Sequence, residues 1–576
     1  MTTTKDPTST TTRLSLVAML FVFFIQHSAF ANILTVTSAA DDGGANTLRS
    51  IVAASPPGGT IVFADALKGL TITLVSSEIV IDKNLTISGP PDASITVIGG
   101  NTVSPLNKRI FHVTSPAPDP TRTFQVSGLQ MQGSIVAANG ANGTAISPNG
   151  GNGANPAGNV TDHGGGGAIY SETRTLLVVS NCYFFNCQAR GGNGGDAYSA
   201  SCSSNAIGGV GGSAGGGAIF SFGDCFLYHC SFYTNTAVGG IGGTGAQGGS
   251  GGTGGDGIGG AIAIGYLDGA DLRVINCTFY DNIAYGGDGG QGGTRIFCTV
   301  ETTNGGTGGT GGNGKGGAIF NHQSVVPPSG IVHSTVYNNY CYRGGGGGGG
   351  TGINGGLNGA IGGVGGAFGC GLFVAQAPVR AGNNLFAGNH ALPTTAVPSG
   401  PDVHGSLATQ GHNLVATDDG TCLFAMPDAT DILGTVALPI NPLLGPFQNH
   451  GGFIPTIVPQ QGSPAIDAGT AVGLPFDAIG QTRPVVVSGI VNGGDGSDIG
   501  AFEVQCGTVR PLLQIAKLLN NVIVTWPSPS YCFKLQTSPD MMNWTDYAGS
   551  VDVVGGMNQV VVAAQPNKMF YRLVSP

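Results

Sequence analysis

Hydrophobic residues between positions 163 and 390 come in short runs, not at the three-and-four spacing of a long amphipathic helix. The runs sit in a unit that recurs. It opens on a glycine pair, a small residue and a hydrophobic one: Gly166-Gly167-Ala168-Ile169-Tyr170, Gly216-Gly217-Ala218-Ile219-Phe220, Gly259-Gly260-Ala261-Ile262, Gly316-Gly317-Ala318-Ile319-Phe320 and Gly365-Gly366-Ala367-Phe368. A strand-like segment follows. It closes on an aromatic or aliphatic residue with a polar one three places on: Phe184 to Cys187, Phe232 to Asn235, Phe279 to Asn282, Val336 to Asn339 and Phe386 to Asn389. A glycine-rich stretch of variable length completes the unit.

The alanines are spaced by 50, 43, 57 and 49 residues, whereas the step from alanine to the following Phe or Val is 16, 14, 18, 18 and 19. A unit of a few short strands cannot bury its own apolar face and must stack on its neighbours. A near-constant core with a variable insert predicts a coil with loops extruded from one corner. Leu176-Leu177-Val178-Val179 and Leu272-Arg273-Val274-Ile275 each read as one side of a coil, paired in parallel with the same side above and below. Asn235, Asn282, Asn339 and Asn389 then form a ladder where strands turn, each amide bonding the next. Cys182, Cys230 and Cys277 share one position of the unit, 48 and 47 residues apart. At a strand spacing of about 4.8 Å they are within disulfide range, but lining the interior as small apolar residues is the expected role.

The alternating GGAI and FxxN motifs resemble the repeats of chlamydial polymorphic outer membrane proteins. They are also similar to those of many bacterial surface proteins built on the right-handed parallel β-helix, or pectin-lyase-like fold. Cys187 stands where that pattern has Asn, and Val336 where it has Phe. The fold class expected is therefore all-β: a right-handed parallel β-helix with glycine-rich loop insertions, followed by a small C-terminal β-sandwich.

The ends of such a helix need caps. Asn46 is the expected N-cap of a short helix with Leu48, Ile51 and Val52 on one face, ending at Pro56-Pro57-Gly58-Gly59 and covering the first coil. Thr60-Ile61-Val62-Phe63, Thr71-Ile72-Thr73-Leu74, Glu78-Ile79-Val80-Ile81, Leu85-Thr86-Ile87 and Ile95-Thr96-Val97-Ile98 read as strands. With Thr47-Leu48-Arg49-Ser50-Ile51, this region is similar to the CSLREA domain, whose Glu-Ala is here Ser50-Ile51. Toward the other end stand Gly411-His412-Asn413-Leu414, Asn441-Pro442-Leu443-Leu444-Gly445-Pro446, Asn449-His450-Gly451-Gly452, Gly462-Ser463-Pro464-Ala465-Ile466-Asp467-Ala468-Gly469 and Asp498-Ile499-Gly500-Ala501-Phe502-Glu503. Together they resemble the choice-of-anchor Q domain, which implies a region closing the helix. Asp467, Asp477, Arg483, Asp498 and Glu503 are read as a buried Arg–carboxylate network tying the last coils, in preference to a reactive site.

After Cys506, Val522-Ile523-Val524-Thr525-Trp526, Phe533-Lys534-Leu535-Gln536-Thr537, Val560-Val561-Val562 and Phe570-Tyr571-Arg572-Leu573 read as strands of a small sandwich. It is similar to immunoglobulin- or fibronectin-like tail modules of exported verrucomicrobial-type proteins. Trp526 and Trp544 are expected in its core. The organisation predicted is a signal peptide at 1–31, a β-helix at 32–505 and a sandwich at 506–576. Within the helix, 32–135 holds the cap and first coils, 136–392 the glycine-rich repeats, and 393–505 the closing region.

Composition narrows the function. Of 576 residues 104 are glycine and only 9 % are charged, with Lys+Arg 21 against Asp+Glu 31, which leaves no basic patch for a nucleic acid. Hydrophobics at 41 % exclude disorder of the highly charged kind, and Pro 32 without a strict period excludes collagen. Lys5 and Arg13, an apolar run from Leu14 to Ile25 and Ala29-Phe30-Ala31 read as a secretory signal, with the mature chain beginning near Asn32. The apolar run is too short to span a bilayer, so no transmembrane segment is expected after cleavage. Export permits disulfides, but the 12 cysteines are not grouped as metal-binding pairs.

The stretches Gly239 to Gly260, Gly286 to Gly293, Gly305 to Gly317 and Gly344 to Gly366 allow two readings. They are flexible loops, or they leave the helix together as three-residue-per-turn segments that bundle through glycine contacts and backbone hydrogen bonds. Gly191-Gly192-Asn193-Gly194-Gly195-Asp196-Ala197-Tyr198 and Gly251-Gly252-Thr253-Gly254-Gly255-Asp256-Gly257-Ile258 also fit a calcium nonapeptide. Calcium rolls take ligands from adjacent turns, and these copies are far apart, so no metal or other cofactor is assigned.

Polysaccharide lyases and hydrolases share the fold and need paired carboxylates, or acidic calcium ligands with a basic residue on one face. Between His163 and His390 stand seven Lys/Arg (Arg174, Arg190, Arg273, Arg295, Lys315, Arg343, Arg380) and nine Asp/Glu, none recurring in register. Asp268 and Asp271 fall in an expected turn. No catalytic, cofactor-binding or metal residue is therefore assigned. The reading is a secreted or cell-surface, non-catalytic, adhesin-like scaffold contacting an extracellular polysaccharide or cell-surface ligand; the alternative is an enzyme of the pectate lyase or polygalacturonase type.

Overall fold

A computed structural model describes residues 32–99, 108–115, 121–144, 147, 149–154, 164–199, 205–265, 270–295, 303–323, 329–393, 400–424, 428–487, 490–506, 511–528, 530, 532–555, 557–564 and 568–574. The signal-like segment lies outside these residues. From Ile33 to Thr435 the chain is a parallel β-helix. One coil has five sides. The first is Ile169–Ser171, the second Thr175–Ser180, the third Tyr183–Phe185, the fourth Gln188–Arg190 and the fifth Ala214–Gly215. Each side pairs in register with the same side of the next coil, as Ile169 with Ile219, Leu177 with Cys225, Phe184 with Phe232 and Ala189 with Ala237. Alternate residues point inward, so Leu177 and Val179 are buried while Val178 is half-buried. Phe184, Phe232 and Phe279 stack in the interior at centroid spacings of 4.8 and 4.7 Å.

The small residues stand in file. The Ala168 N–H donates to Ala218 O (2.9 Å), Ala218 to Ala261 O (2.9 Å) and Ala261 to Ala318 O (3.0 Å). The fifth copy is a correction: Ala318 donates to Cys370 O, and Ala367 pairs with Gly314 instead. Leu372 pairs with Ile319, so Gly369-Cys370-Gly371-Leu372 holds the place expected of Gly365-Gly366-Ala367-Phe368.

The asparagine ladder is present. Asn235, Asn282, Asn339 and Asn389 are buried, and each accepts at Oδ1 from the preceding member, beginning with the Cys187 N–H at 3.0 Å. Their amide groups donate along the column at 2.9 Å, and Asn389 donates to Asp402 Oδ1 at 2.7 Å. Cys182, Cys230 and Cys277 are buried thiols without disulfides, as expected of interior packing. The one disulfide among the described residues joins Cys506 to Cys532.

At the N-terminal end the helix Leu48–Ala54 buries Leu48, Ile51 and Val52 against the core. Its N-cap is Thr47, not Asn46: the Thr47 hydroxyl accepts from the Ser50 N–H, while Asn46 takes left-handed backbone at φ 64°. Beyond Thr435 the chain turns back as an irregular strap along the outside of the third side. Phe447 stacks on Tyr233 and Tyr280 at 5.1 and 5.3 Å, Ser231 Oγ donates to Pro455 O, and the Ala501 N–H donates to Thr335 Oγ1 (3.0 Å). Residues 514–574 form two antiparallel sheets around Val524, Trp526, Leu535 and Val560.

The glycine stretches are ordered against one another. They leave the fourth side as outgoing limbs (137–143, 191–197, 239–245, 286–293 and 344–352) and come back to the fifth as returning limbs (149–154, 207–213, 249–256, 305–313 and 356–366). The limbs form two layers. Across the layers Gly212 donates to Gly192 O, Gly240 to Gly212 O, Gly255 to Gly240 O, Gly287 to Gly255 O and Gly312 to Gly287 O, each at 2.8 Å. Within a layer Gly242 donates to Asp288 O and Gly254 to Thr310 O, each at 2.8 or 2.9 Å. Two glycines in three thus point into the double layer and the third residue faces solvent, the period of an extended helix with three residues per turn. No side chain fits inside: a Cβ on Gly255 would lie 2.1 Å from Gly212 O, and one on Gly309 would lie 1.9 Å from Gly252 O. The solvent-facing residues cap one another, as when Asn193 Oδ1 accepts from the Ile241 N–H (3.0 Å) and Asp196 Oδ1 from the Thr244 N–H (2.7 Å). Of the two readings, the bundle describes these limbs.

Candidate functional site

The outward residues of the second side line up in columns parallel to the helix axis, and part of this face is the floor of a groove. In register they run Gln125, Val178, Phe226, Arg273, Gly330, Arg380 and, one row over, Ser127, Ser180, Tyr228, Ile275, Val332, Gly382. Alternation dictates this, because the same strands spend their other residues on the core. At the turn leaving the second side, Asn181, His229, Asn276, His333, Asn383 and His412 all take left-handed backbone, with φ between 49 and 57°. Asn tolerates that conformation, and His is enriched in it.

This turn column holds the strap, which becomes the far wall. Asn276 Nδ2 donates to Phe476 O (2.9 Å), the Thr470 N–H donates to Asn383 Oδ1 (2.7 Å), and His412 Nδ1 donates to Ala468 O (2.8 Å). Between floor and wall lies a cavity of about 1240 Å³, reaching from Thr86 to Thr409. It crosses eight successive strands, roughly 34 Å at the usual strand spacing. Apolar surface from Val178, Ile275, Val332, Val472 and Leu474 makes up most of the lining, with hydroxyls and amides set among it and Tyr228 and Phe476 as aromatic surfaces.

Its ionisable groups are few. Burial and the nearby Arg483 guanidinium push the His229 imidazole down to about 4, so it is neutral at physiological pH. Asp428 is the one carboxylate among the described lining residues, which also include His412 and Arg380. That set offers donors and acceptors that suit hydroxyls, and among the described lining residues Asp428 has no second carboxylate to form the pair that glycoside hydrolysis uses.

The other residues singled out from the sequence lie elsewhere. Asp467, Asp477, Arg483, Asp498 and Glu503 form one buried network, as expected, but it organises the strap and not the last coils. Arg483 Nε donates to Glu503 Oε2 (2.9 Å), and the Asp498, Glu503 and Asp467 N–H groups donate to Glu503, Asp477 and Asp498. Arg483 also meets His333, the step that fastens the network to the β-helix. Burial raises the Asp477, Asp498 and Glu503 carboxyls, against the pull of Arg483. Asp271 accepts from Arg273 Nε (2.8 Å), whose guanidinium lies 4.6 Å above the Phe226 ring; Asp268 is outside the described residues.

Asp196 and Asp256, from the two calcium-like stretches, lie in opposite layers of the glycine bundle. Asp256 holds Lys315 Nζ at 3.0 Å and the Asn313 N–H at 2.7 Å. Trp526 is buried as expected, whereas Trp544 is half-buried at the surface with Arg572 4.2 Å over its ring.

One cluster was not legible in the sequence. The His112 ring lies between two carboxylates, Nδ1 2.8 Å from Glu78 Oε1 and Nε2 3.0 Å from Glu172 Oε1, and Arg109 Nη1 donates to Glu78 Oε2 (2.7 Å). Burial would raise the Glu78 carboxyl, but the His112 hydrogen bond and the Arg109 charge outweigh it and hold it below its ordinary value. These groups occupy one another on the first side, away from the groove. The register of Val80, His112 and Tyr170 brings them together, and no spacing along the chain reveals it.

Comparison of the chain with protein-family models, curated proteins and solved structures gave no match. No described helix is long and apolar enough to cross a membrane.

Proposed function

We propose that this protein is a secreted or cell-surface, non-catalytic β-helical scaffold that holds an extended extracellular polysaccharide along its second side. The groove carries this reading: about 1240 Å³ of space, open along many coils, lined by aliphatic and aromatic surface interspersed with hydroxyls and amides, with one carboxylate among the described residues. A sugar chain presents alternating hydroxyls and apolar ring faces, which this lining matches along its length. The likeness of the repeats and of both ends to bacterial surface proteins supports the extracellular setting.

The test uses the purified mature chain against a panel of plant and bacterial polysaccharides, scored for retention and for new chain ends. Retention without turnover is expected. Tyr228→Ala should weaken it by about tenfold, the equivalent of one aromatic contact. Release of unsaturated or reducing oligosaccharides would overturn the reading in favour of a lyase or hydrolase.

A further inference from the structure

We propose that the free edge of the outgoing glycine layer is a second sugar-binding surface, a shelf that takes a short hexose chain. The inference rests on the reading of the protein as a polysaccharide-contacting scaffold and adds a site that the groove does not include. Residues 344–350 are seven consecutive glycines. Five of them are required by packing. A Cβ on Gly344 or Gly347 would lie 1.9 Å from Gly287 O or Gly290 O, one on Gly350 2.1 Å from Gly293 O, and those on Gly346 and Gly349 1.9 and 1.8 Å from Gly362 O and Gly359 O.

Gly345 and Gly348 are different. A Cβ on Gly345 would meet only the Asp288 carboxylate at 3.3 Å, and one on Gly348 only the flexible end of Gln291. The earlier outgoing limbs carry side chains at these positions, Asn193 and Asp196, Ile241 and Thr244, Asp288 and Gln291. Packing does not explain the missing side chains, so the bare backbone is free to serve a contact.

Two further observations say what kind. In the same row, one step nearer the β-helix, Tyr342 stacks on Tyr285 at 4.2 Å with ring planes 7° apart, and Tyr285 is 37 % exposed. Tyr340, 6.3 Å from Tyr342, stacks in turn on the exposed His390 at 5.2 Å. Among the described residues the limb is also the last of its layer. The N–H groups that in the preceding limb donate onward, Gly289 to Gly345 O and Gly292 to Gly348 O, correspond here to Gly346 and Gly349, which have no acceptor among the described residues. Their spacing is about 9.3 Å, three residues of an extended threefold helix. Exposed aromatic faces beside outward amide donors on a surface without side chains suit the apolar face and hydroxyl rim of a sugar ring.

The test titrates the full mature chain with gluco-, manno- and galacto-hexaose, read by calorimetry and tyrosine fluorescence. At least one hexaose should bind and change the tyrosine signal. The double variant Gly345→Asn, Gly348→Asn restores the side chains of the other limbs, so it should melt with the parent yet bind at least tenfold more weakly. Tyr342→Ala should do the same, and Tyr228→Ala, whose ring belongs to the groove, should lower hexaose binding less than either shelf variant does. Hexaose binding that is equal in the double variant, or that falls only in Tyr228→Ala, overturns the shelf and leaves the groove reading standing. Failure of every hexaose to bind also overturns it. Hexaose binding lost in the shelf variants, with polysaccharide retention indifferent to Tyr228→Ala, upholds the shelf and overturns the groove.

Discussion

Asp402 ends the asparagine column, and hydrogen-bond arithmetic explains why a carboxylate stands there. Oδ1 accepts from the Asn389 N–H and Nδ2 at 3.2 and 2.7 Å, and Oδ2 accepts from the Thr417 N–H at 2.7 Å. An amide would turn its own N–H groups toward one of these donors. Burial raises the carboxyl to about 6, although the Asn389 and Thr417 bonds pull the other way. A folded pKa above the unfolded value of about 3.9 means that the folded state binds the extra proton between those limits. Asp402 therefore contributes stability that falls as pH rises from about 4 to about 6 and is level above. The denaturation midpoint of Asp402→Asn should lose this part of the pH dependence; parallel curves for parent and variant would refute it. Inside the column, Asn282→Ala leaves the Asn235 N–H without its acceptor and takes the Nδ2 donor from Phe232 O and Asn339 Oδ1, and should cost about 2–4 kcal/mol in equilibrium unfolding.

At the scale of the element, the glycine limbs depend on the absence of side chains at two positions in three and tolerate them at the third. Gly255→Ala should abolish slow amide exchange in limbs 239–245 and 286–293, while Thr253→Ala, one limb position outward, should leave it intact. Equal exchange in both variants would show that the layers are not closely packed. The contrast explains what was legible in the sequence. Alternation and the GGAI and FxxN spacing fix an interior column, so the coil, the alanine file, the asparagine ladder and the buried cysteines could be read from it. The triplet period also contained the double layer, but only as one of two readings, because glycine carries no side chain to say which neighbour it meets. The shift of the fifth repeat escaped notice because Ala367 and Cys370 are both small, and only pairing with Gly314 tells them apart. The groove and the Glu78–His112–Glu172 cluster depend on register between coils and on where the strap returns, neither of which leaves a local trace.

Across the whole molecule the strap gives the open β-helix a covered flank and one wall of the groove. Its fastening is the buried Arg483 with Glu503 and His333, at 4 % exposure or less. Arg483→Leu leaves Asp477, Asp498 and Glu503 buried without their cation and should cost about 3–5 kcal/mol. Limited proteolysis should then cut first within 441–505 while 33–435 persists; cleavage spread evenly over both would refute the strap as a separate unit. The double glycine layer bears differently on the chain's history. Removing one residue from a limb would rotate every residue beyond it by a third of a turn and force an outward side chain into the filled interior. The packed limbs can therefore lengthen or shorten only by triplets, one on each limb, so divergence there should proceed in jumps of six while changes of any other size collect at the hairpin tips.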